Sequence, residues 1–255
     1  MNKSIFITGA GAGIGKSAAL LFAKKGWFVH ATDISQESLE ALKAELGNEH
    51  SYSQLDVTCS DSIKAALETC TAKTNGSINV VLNNAGIAFI DNFESLSLDK
   101  HLAVTNVNVA GVLSVTYLAK PYLDRAGESV LINMCSASSN YGVPSEATYS
   151  ASKFWVKGFT EALNIEWERH GVHVCDILPN FVATPMMEKC DGDIVQNVGI
   201  SLTAEDVSKT IWKAANNRRK VHWHVDTLKY NCARIITNML PYVAKRSIMK
   251  KVAGY

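Results

Sequence analysis

The sequence predicts an α/β fold in which a parallel sheet is covered by helices on both faces. Short apolar runs alternate along the chain with longer segments whose apolar residues recur at helical spacing. The runs are almost continuously apolar, which is typical of parallel strands buried between two helical layers. A glycine-rich segment, TGAGAGIG at 8–15, directly follows the first run. Because strand and helix alternate, right-handed crossovers are expected, and we predict one doubly wound sheet.

The predicted strands and helices follow one another without an internal repeat, a low-complexity tract or a Pro/Gly/Ser-rich linker. They are therefore expected to form a single domain. Strands are predicted at 3–8, 27–32, 51–55, 78–83, 129–135, 172–178 and, more weakly, 220–225, and helices near 14–25, 35–46, 60–74, 97–125, 148–170 and 203–216.

Composition and charge exclude several classes of protein. The 255 residues are 47% hydrophobic and 19% charged, which is enough apolar material for a core and argues against a disordered chain. A formal net charge of +1 gives no overall field that would attract nucleic acid. The N-terminus lacks a signal-peptide pattern and no apolar run reaches about 18 residues, so we expect neither secretion nor a membrane span.

The cysteines are scattered, without a CxxC pair or a histidine cluster at metal-ligand spacing. We expect reduced thiols that act as small apolar residues, no metal site and a cytoplasmic location. The six are Cys59, Cys70, Cys135, Cys175, Cys190 and Cys232.

The glycines at 8–15 leave the backbone bare where the first strand meets the first helix. Such a junction permits a tight turn and lets a pyrophosphate approach the free N–H groups at the start of the helix. A turn that only reverses the chain has the same composition, and a glycine fingerprint alone does not separate the two. The predicted dinucleotide contacts here are Gly9, Gly13, Ile14 and Gly15.

Asp33 ends the second strand, where a carboxylate would accept hydrogen bonds from the adenosine ribose. A 2′-phosphate would meet a like charge there, and neither Ala12 nor Ile34 supplies a cation. NAD is therefore favoured over NADP. The alternative is that Asp33 is only an acid near a helix N-terminus, before Ser35.

Three motifs occur in order: the glycine segment, NNAG at 83–86 and YSASK at 149–153. Together they resemble the short-chain dehydrogenase/reductase family, over residues 3 to about 216. The resemblance implies a Rossmann-type NAD(P)-binding fold whose seven strands have the order 3-2-1-4-5-6-7. It also implies dimers or tetramers formed through the two long central helices. On this basis residues 1–226 are the catalytic domain, and residues 227–255 are a C-terminal extension.

The resemblance implies four catalytic residues, Asn108, Ser136, Tyr149 and Lys153. Four residues separate Tyr149 from Lys153, so one helical turn stacks the ammonium beside the phenol, and a nearby cation lowers a phenol's pKa. Tyr149 is expected to exchange a proton with the reacting alcohol or carbonyl oxygen, while the Ser136 hydroxyl holds that oxygen. The backbone carbonyl of Asn108 is expected to anchor a water that links Lys153 to solvent. Taken alone, a Tyr and a Lys at this spacing also fit an amphipathic helix edge.

The same resemblance implies further cofactor contacts after the later strands. The residues expected near adenine and its ribose are Asp56, Val57, Asn84, Ala85 and Gly86, and those near the nicotinamide are Pro179, Val182 and Thr184. Asn180 stands where the family usually has glycine, and asparagine tolerates the left-handed backbone conformation better than most residues.

The residues expected around the substrate are mainly apolar, which suggests a hydrophobic alcohol or carbonyl compound. Any one of them could equally be ordinary core. The lid between residues 184 and 202 looks short and predicts an open cleft. The expected substrate residues are Ala88, Phe89, Ala137, Tyr141, Val143, Phe181, Met186 and Met187.

The C-terminal extension interleaves basic and apolar residues, and after Asp226 it contains no acid. Packing on the domain or on a neighbouring subunit is favoured, and contact with an anionic membrane surface is the alternative. Its basic residues are Lys229, Arg234, Lys245, Arg246, Lys250 and Lys251.

The sequence thus predicts an NAD-dependent oxidoreductase, with NADP less favoured, that acts on a small-molecule alcohol or carbonyl substrate and needs no metal. The alternative is an NAD(P)-binding sensor without turnover. Such a protein would be expected to lose part of the catalytic set, and this chain retains Asn108, Ser136, Tyr149 and Lys153.

Overall fold

A seven-stranded parallel sheet forms the centre of the computed structural model, which describes residues 3–188, 194, 197, 199–225 and 239–255. The strand order β3-β2-β1-β4-β5-β6-β9 confirms the predicted order, because two-residue strands β7 and β8 pair with each other outside this sheet. The strands are β1 (Ser4–Thr8), β2 (Phe28–Asp33), β3 (Ser51–Gln54), β4 (Val80–Asn83), β5 (Ser129–Met134), β6 (Val172–Pro179), β7 (Val182–Ala183), β8 (Leu202–Thr203) and β9 (His222–Val225).

Helices cover both faces of the sheet, close to the predicted positions. A π-helical segment, Asn106–Gly111, joins α4 to α5, so the helix predicted near 97–125 is continuous. The helix predicted at 148–170 ends earlier, at Glu166, and a 3-10 turn follows it. The helices are α1 (Gly13–Lys24), α2 (Gln36–Leu46), α3 (Ser60–Thr71), α4 (Leu98–Thr105), α5 (Val112–Arg125), α6 (Ala147–Glu166), α7 (Pro185–Glu188), α8 (Ala204–Ala215) and α9 (Tyr242–Val252).

The strands divide the core into two layers because successive side chains point to opposite faces. Ile5 and Ile7 of β1 pack with α1, α2 and α8, whereas Phe6 between them packs with α3, α5 and α6. All three side chains are fully buried. This accounts for strands that are apolar at consecutive positions rather than at alternate ones.

The helix Leu98–Arg125 is, among the described residues, the one long and apolar enough by composition to cross a membrane. Its buried residues include Val115, Ala119 and Leu123, which pack beneath the sheet in the same layer as α3. Part of the apolar composition therefore serves the core of the α/β domain, whereas other apolar residues of the helix, including Leu113 and Tyr117, face solvent.

The described part of the C-terminal extension is residues 239–255, which includes α9. The predicted basic residues Lys229 and Arg234 lie outside the described residues, as do Cys190 and Cys232 and much of the lid between 184 and 202.

The strand order places a crevice between the loops that carry the predicted site residues. The chain winds outward from β1 to β3 on one side and from β4 to β9 on the other, so the loops after β1 and β4 diverge. A crevice opens at such a switch point, beyond the carboxyl ends of the strands, and ligands of this fold class bind there.

Candidate active site

One large cleft, of about 670 Å³, lies at the carboxyl ends of the strands. Most residues predicted for the cofactor and for catalysis line it. They are Gly9, Gly13, Ile14, Asp33, Asp56, Val57, Asn84, Ala85, Gly86, Ser136, Tyr149, Lys153, Pro179, Val182 and Thr184. Gly15 and Asn108 do not line the cleft.

The turn after β1 presents bare backbone and an uncapped helix to this cleft. Gly9 and Gly13 have φ of 68° and 53°, a left-handed conformation that favours glycine. The N-cap of α1 is Ala12, which makes no side-chain capping bond, and the first turn of α1 contains no acid. The N–H groups and the positive end of the helix dipole therefore remain available for an anion.

Gly15 has a packing role behind this turn. A Cβ atom there would lie 2.0 Å from the Gly9 carbonyl oxygen and 2.6 Å from Nδ2 of Asn84. Any side chain would thus push α1 away from the β1 loop, although the position does not face the cleft.

Asp33 combines the two roles that the sequence left open. Its carboxylate lines the cleft and accepts hydrogen bonds from the backbone N–H groups of Gly11, at 2.8 Å, and Ser35, at 2.9 Å. Ser35 is the N-cap of α2, so Asp33 also stabilises the start of that helix. Each carboxylate oxygen can still accept a further bond, such as one from a ribose hydroxyl.

Asn84 connects the loops after β1 and β4. Its Nδ2 donates to the carbonyl oxygens of Thr8, at 3.0 Å, and Gly9, at 2.9 Å. The Thr8 hydroxyl oxygen accepts hydrogen bonds from the backbone N–H groups of Asn84 and Ala85. These bonds hold Ala85 and Gly86 against the cleft with their backbone exposed to it.

Tyr149 and Lys153 lie on one face of α6, as their spacing predicts. The Lys153 Nζ is 5.4 Å from the centre of the Tyr149 ring and donates a hydrogen bond to the Met134 carbonyl, at 2.8 Å. Burial lowers the pKa of the Lys153 ammonium, and Cys135 opposes that effect. Since Met134 ends β5, this bond ties the helix that carries Tyr149 to the sheet.

Asn108 acts as a brace between segments. Its side-chain amide accepts from the Ile87 N–H and donates to the Ile87 carbonyl, both at 2.9 Å, and also donates to Ser152 Oγ, at 3.2 Å. The π-helical turn places this buried residue between the loop after β4 and α6. Asn108 therefore positions the segments on both sides of Tyr149.

Ser136 begins a hydrogen-bonded chain that the sequence analysis did not foresee. Ser136 Oγ is 3.3 Å from Ser138 Oγ, which donates to a carboxylate oxygen of Glu146 at 3.0 Å. All three residues are buried and line the cleft. Glu146 directly precedes α6, so in the sequence it resembles an ordinary acid at a helix N-terminus. Its position three residues before Tyr149 was the available signal.

The substrate side of the cleft is mostly apolar. The prediction that Phe89 lines it is wrong. The Phe89 ring lies outside the cleft, beneath the Lys100 ammonium at 5.3 Å, because the loop turns it toward α4. The other predicted substrate residues line the cleft: Ala88, Ala137, Tyr141, Val143, Phe181, Met186 and Met187.

Helix α9 forms a wall of the cleft, which the sequence analysis did not identify. Its contributions are Lys245, Ile248, Met249 and Val252. The C-terminal Tyr255 hydroxyl makes hydrogen bonds to Asn92 and Ser145, which fix the end of the chain beside the cleft.

Asn180 does not adopt the left-handed backbone conformation that asparagine tolerates. Among the described residues other than glycine, only Asn75 and Ser145 have positive φ. The Asn180 side chain instead accepts a hydrogen bond from the Phe181 N–H, at 3.0 Å, and so supports the turn before β7.

Comparison with known proteins identifies the relatives of this chain. The family model described as short chain dehydrogenase matches residues 3–195. A 3-oxoacyl-[acyl-carrier-protein] reductase of Thermotoga maritima is 38% identical over 73% of this chain and 77% of its own length. A cyclohexanol dehydrogenase of an Acinetobacter species is 32% identical over 73% of this chain and 75% of its own length.

Two solved structures with a bound cofactor have the same fold. A 3-ketoacyl-(acyl-carrier-protein) reductase from Brucella melitensis, complexed with NADH, superposes with a TM-score of 0.80 at 28% identity, covering 88% of this chain and 96% of its own. A serine dehydrogenase complexed with NADP+ has a TM-score of 0.76 at 26% identity, with coverages of 87% and 93%. Relatives of this chain therefore include proteins that bind either nicotinamide dinucleotide.

Proposed function

Because the chain belongs to the short-chain dehydrogenase/reductase family, and is thus an NAD(P)-dependent oxidoreductase of alcohols and carbonyl compounds, we propose that it acts on an apolar alcohol or ketone with NAD(H). The observation that carries this proposal is the joint presence of Ser136, Tyr149 and Lys153 in one cleft with the bare turn after β1.

The cofactor end of the cleft fits a dinucleotide. The uncapped N-terminus of α1 suits a pyrophosphate, and Gly13 faces Thr184, whose Cγ2 would be 3.3 Å from an added Cβ. When bound, the nicotinamide supplies or accepts the hydride. Residues that would hold the cofactor are Gly9, Gly13, Ile14, Asp33, Asp56, Val57, Asn84, Ala85, Gly86, Pro179, Val182 and Thr184.

The preference for NAD rests on Asp33. Its carboxylate, fixed by two backbone N–H groups, would accept hydrogen bonds from ribose hydroxyls and would repel a 2′-phosphate. The neighbouring positions Ala12 and Ile34 carry no charge that would relieve the repulsion.

The catalytic end holds and moves one proton. In carbonyl reduction the Tyr149 hydroxyl donates its proton to the carbonyl oxygen, and in alcohol oxidation the phenolate removes the hydroxyl proton. The Lys153 ammonium beside the ring stabilises the phenolate. The Ser136 hydroxyl holds the substrate oxygen, and the bonds from Asn108 keep the loop after β4 in register with α6.

The apolar lining supports a hydrophobic substrate. Tyr141 and Val143 come from the loop before α6 and Phe181 from the loop after β6, and Met249 and Val252 close the cleft from α9. Burial of apolar surface contributes about 25 cal/mol per Å², so a larger apolar substrate is expected to bind more tightly.

The test is turnover followed by nicotinamide absorbance, with NADH and NADPH offered separately against ketones and aldehydes of increasing chain length. The proposal predicts turnover with NADH that rises with chain length. No turnover with either cofactor, despite tight binding of one, would contradict it and would favour a nucleotide sensor.

Oligomers are part of the proposal. Large apolar side chains on α4, α5 and α6 face solvent in the single chain, and such a patch is typical of a subunit interface. They include Leu98, Leu113, Tyr117, Phe154 and Ile165.

A further inference from the structure

A buried carboxyl group is connected to the proposed catalytic serine. The backbone N–H of Ser138 donates to Ser136 Oγ at 3.2 Å, the two serine hydroxyl oxygens are 3.3 Å apart, and Ser138 Oγ lies 3.0 Å from Glu146 Oε2. Glu146 is 3% exposed, so water does not readily replace these bonds. We refer to Ser136, Ser138 and Glu146 as the serine–glutamate chain.

The ionised form of Glu146 fixes the direction of every hydrogen in this chain. A carboxylate only accepts, so Ser138 must donate its single hydroxyl hydrogen to Glu146. The bond between the two serines then requires Ser136 to donate to Ser138. The Ser136 hydrogen is therefore directed away from the substrate, and only a lone pair of its oxygen remains.

Protonation of Glu146 reverses the direction of the hydrogen bonds in the serine–glutamate chain. A carboxylic acid can donate to Ser138 Oγ, which frees the Ser138 hydrogen to point at Ser136 Oγ. Ser136 Oγ then accepts from both the hydroxyl and the backbone N–H of Ser138. Its own hydrogen becomes available to a carbonyl oxygen in the cleft.

We infer that Glu146 is a positioning residue which, acting through Ser138, determines whether the Ser136 hydroxyl can donate to the substrate oxygen. The inference rests on the proposed function, because it concerns the same serine. A proton taken up from water by Glu146 turns the donor toward the substrate, and loss of that proton turns it away.

The pKa of Glu146 is raised into the neutral range, where a modest change of pH alters its protonation. Burial raises the pKa of the Glu146 carboxyl to about 7, against the opposing effect of the Ser138 hydrogen bond. Other ionisable groups lie near it on α6, α4 and α9, on the loops before α4 and α6, and at Tyr255. These are Tyr149, Lys153, Tyr141, Asp91, Lys100, His101, Lys245 and Tyr255.

The pH dependence of carbonyl reduction tests the inference. In the wild type, kcat/KM for a ketone should fall by about 10- to 100-fold as the pH rises through about 7, the usual cost of losing one donor to a reacting oxygen. Glu146→Gln should remove this step, because an amide does not titrate. Ser138→Ala should also remove it, because the Ser136 hydrogen is then no longer drawn away. Any change in kcat/KM with pH that is caused by the surrounding ionisable groups should remain in both variants.

Infrared spectroscopy supplies a second readout that does not need turnover. The carbonyl stretch of a protonated carboxyl should disappear as the wild type is titrated through about pH 7, and it should be missing from Glu146→Gln. An alkaline fall retained at the same pH by both variants, or an unchanged infrared band, would overturn the role of Glu146 alone. Absence of ketone reduction by the wild type would overturn the proposed function as well.

Discussion

The Lys153 ammonium lies 5.4 Å from the centre of the Tyr149 ring while its hydrogen bond to the Met134 carbonyl fixes it to the end of β5. The two side chains lie beside each other because they are one helical turn apart. The hydrogen bond to Met134 fixes the position of Lys153 relative to the sheet. Because the cation is buried, little water screens it from the phenol. The arrangement suits a phenol that loses and regains a proton.

Tyr149→Phe is expected to lower kcat by about a thousandfold, because it removes general acid–base catalysis and leaves the ring in place. Cofactor binding, measured by fluorescence titration with NADH, should change little. Phe159→Tyr on the same helix serves as a control for a changed aromatic residue. A Tyr149→Phe variant with near-wild-type turnover would show that another group transfers the proton.

The elements around Tyr149 were predictable because local patterns determine them. Periodicity and composition, which depend on neighbours in the sequence, predicted the buried strands and the glycine turn, whereas the strand order and most of the cleft residues were predicted from the resemblance to the short-chain dehydrogenase/reductase family. The conformations of Phe89 and Asn180 could not be predicted in this way. The side-chain direction of Phe89 and the backbone angles of Asn180 depend on loop contacts formed only after folding.

Replacing Asp33 with Ser and Ile34 with Arg should shift cofactor preference toward NADPH. The change removes a like charge and adds a cation beside the 2′-phosphate, so the ratio of kcat/KM for NADPH to that for NADH should rise at least about tenfold, or about 1.4 kcal/mol. Asp33→Asn is the control that keeps size and loses charge. A wild type that already prefers NADPH would contradict the assignment of NAD.

Glu146 and α9 escaped the sequence analysis for different reasons. Glu146 looks like an acid at a helix start, and only the folded chain shows its burial next to Ser138. The basic residues of α9 dominate its sequence pattern, whereas its contribution to the cleft is an apolar edge that includes Met249 and Val252. The Glu146 contact with Ser138 spans only eight residues but forms within a folded loop, whereas the contact of α9 with the cleft joins segments that lie far apart in the sequence.

Met249→Lys should weaken the apolar wall that α9 provides. A charged group in this wall should lower kcat/KM for long-chain ketones by about tenfold and have less effect on short ones, because only the longer substrates are expected to reach α9. Val243→Lys is the matched control, since Val243 is on the same helix and is exposed. Equal effects of the two variants across the substrate series would argue against contact with α9.

Tyr117→Glu is expected to weaken self-association through the central helices. Tyr117 is 77% exposed in the single chain, and a carboxylate buried in a subunit interface without a partner is costly. Light scattering coupled to size-exclusion chromatography should show a smaller mass for this variant than for the wild type. Tyr242→Glu, on α9, is the control at another exposed tyrosine. A wild type that is monomeric at micromolar concentration would exclude this interface.

Asp176 and His222 join β6 to the edge strand β9, and their contact should make stability depend on pH. His222 Nδ1 is 2.9 Å from Asp176 Oδ1, and Nε2 is 3.1 Å from Glu161. The hydrogen bond to Asp176 raises the pKa of His222 above its usual value. The protonated imidazole therefore stabilises the fold below its unfolded pKa, about 6.5, and this contribution is lost as the pH rises through the higher folded value.

Urea unfolding of the wild type and of His222→Gln, compared across this pH window, measures the contribution. The wild type should lose about 1 kcal/mol more than the variant as the pH rises, because a hydrogen bond between charged groups is replaced by one that involves a neutral ring. Glu146 also loses its proton near pH 7, but it does so in both proteins, so the difference between them isolates His222. Glu161→Gln should retain most of the effect, since Glu161 is the more exposed partner. Parallel pH profiles of the wild type and His222→Gln would show that the Asp176 contact does not hold β9 by charge.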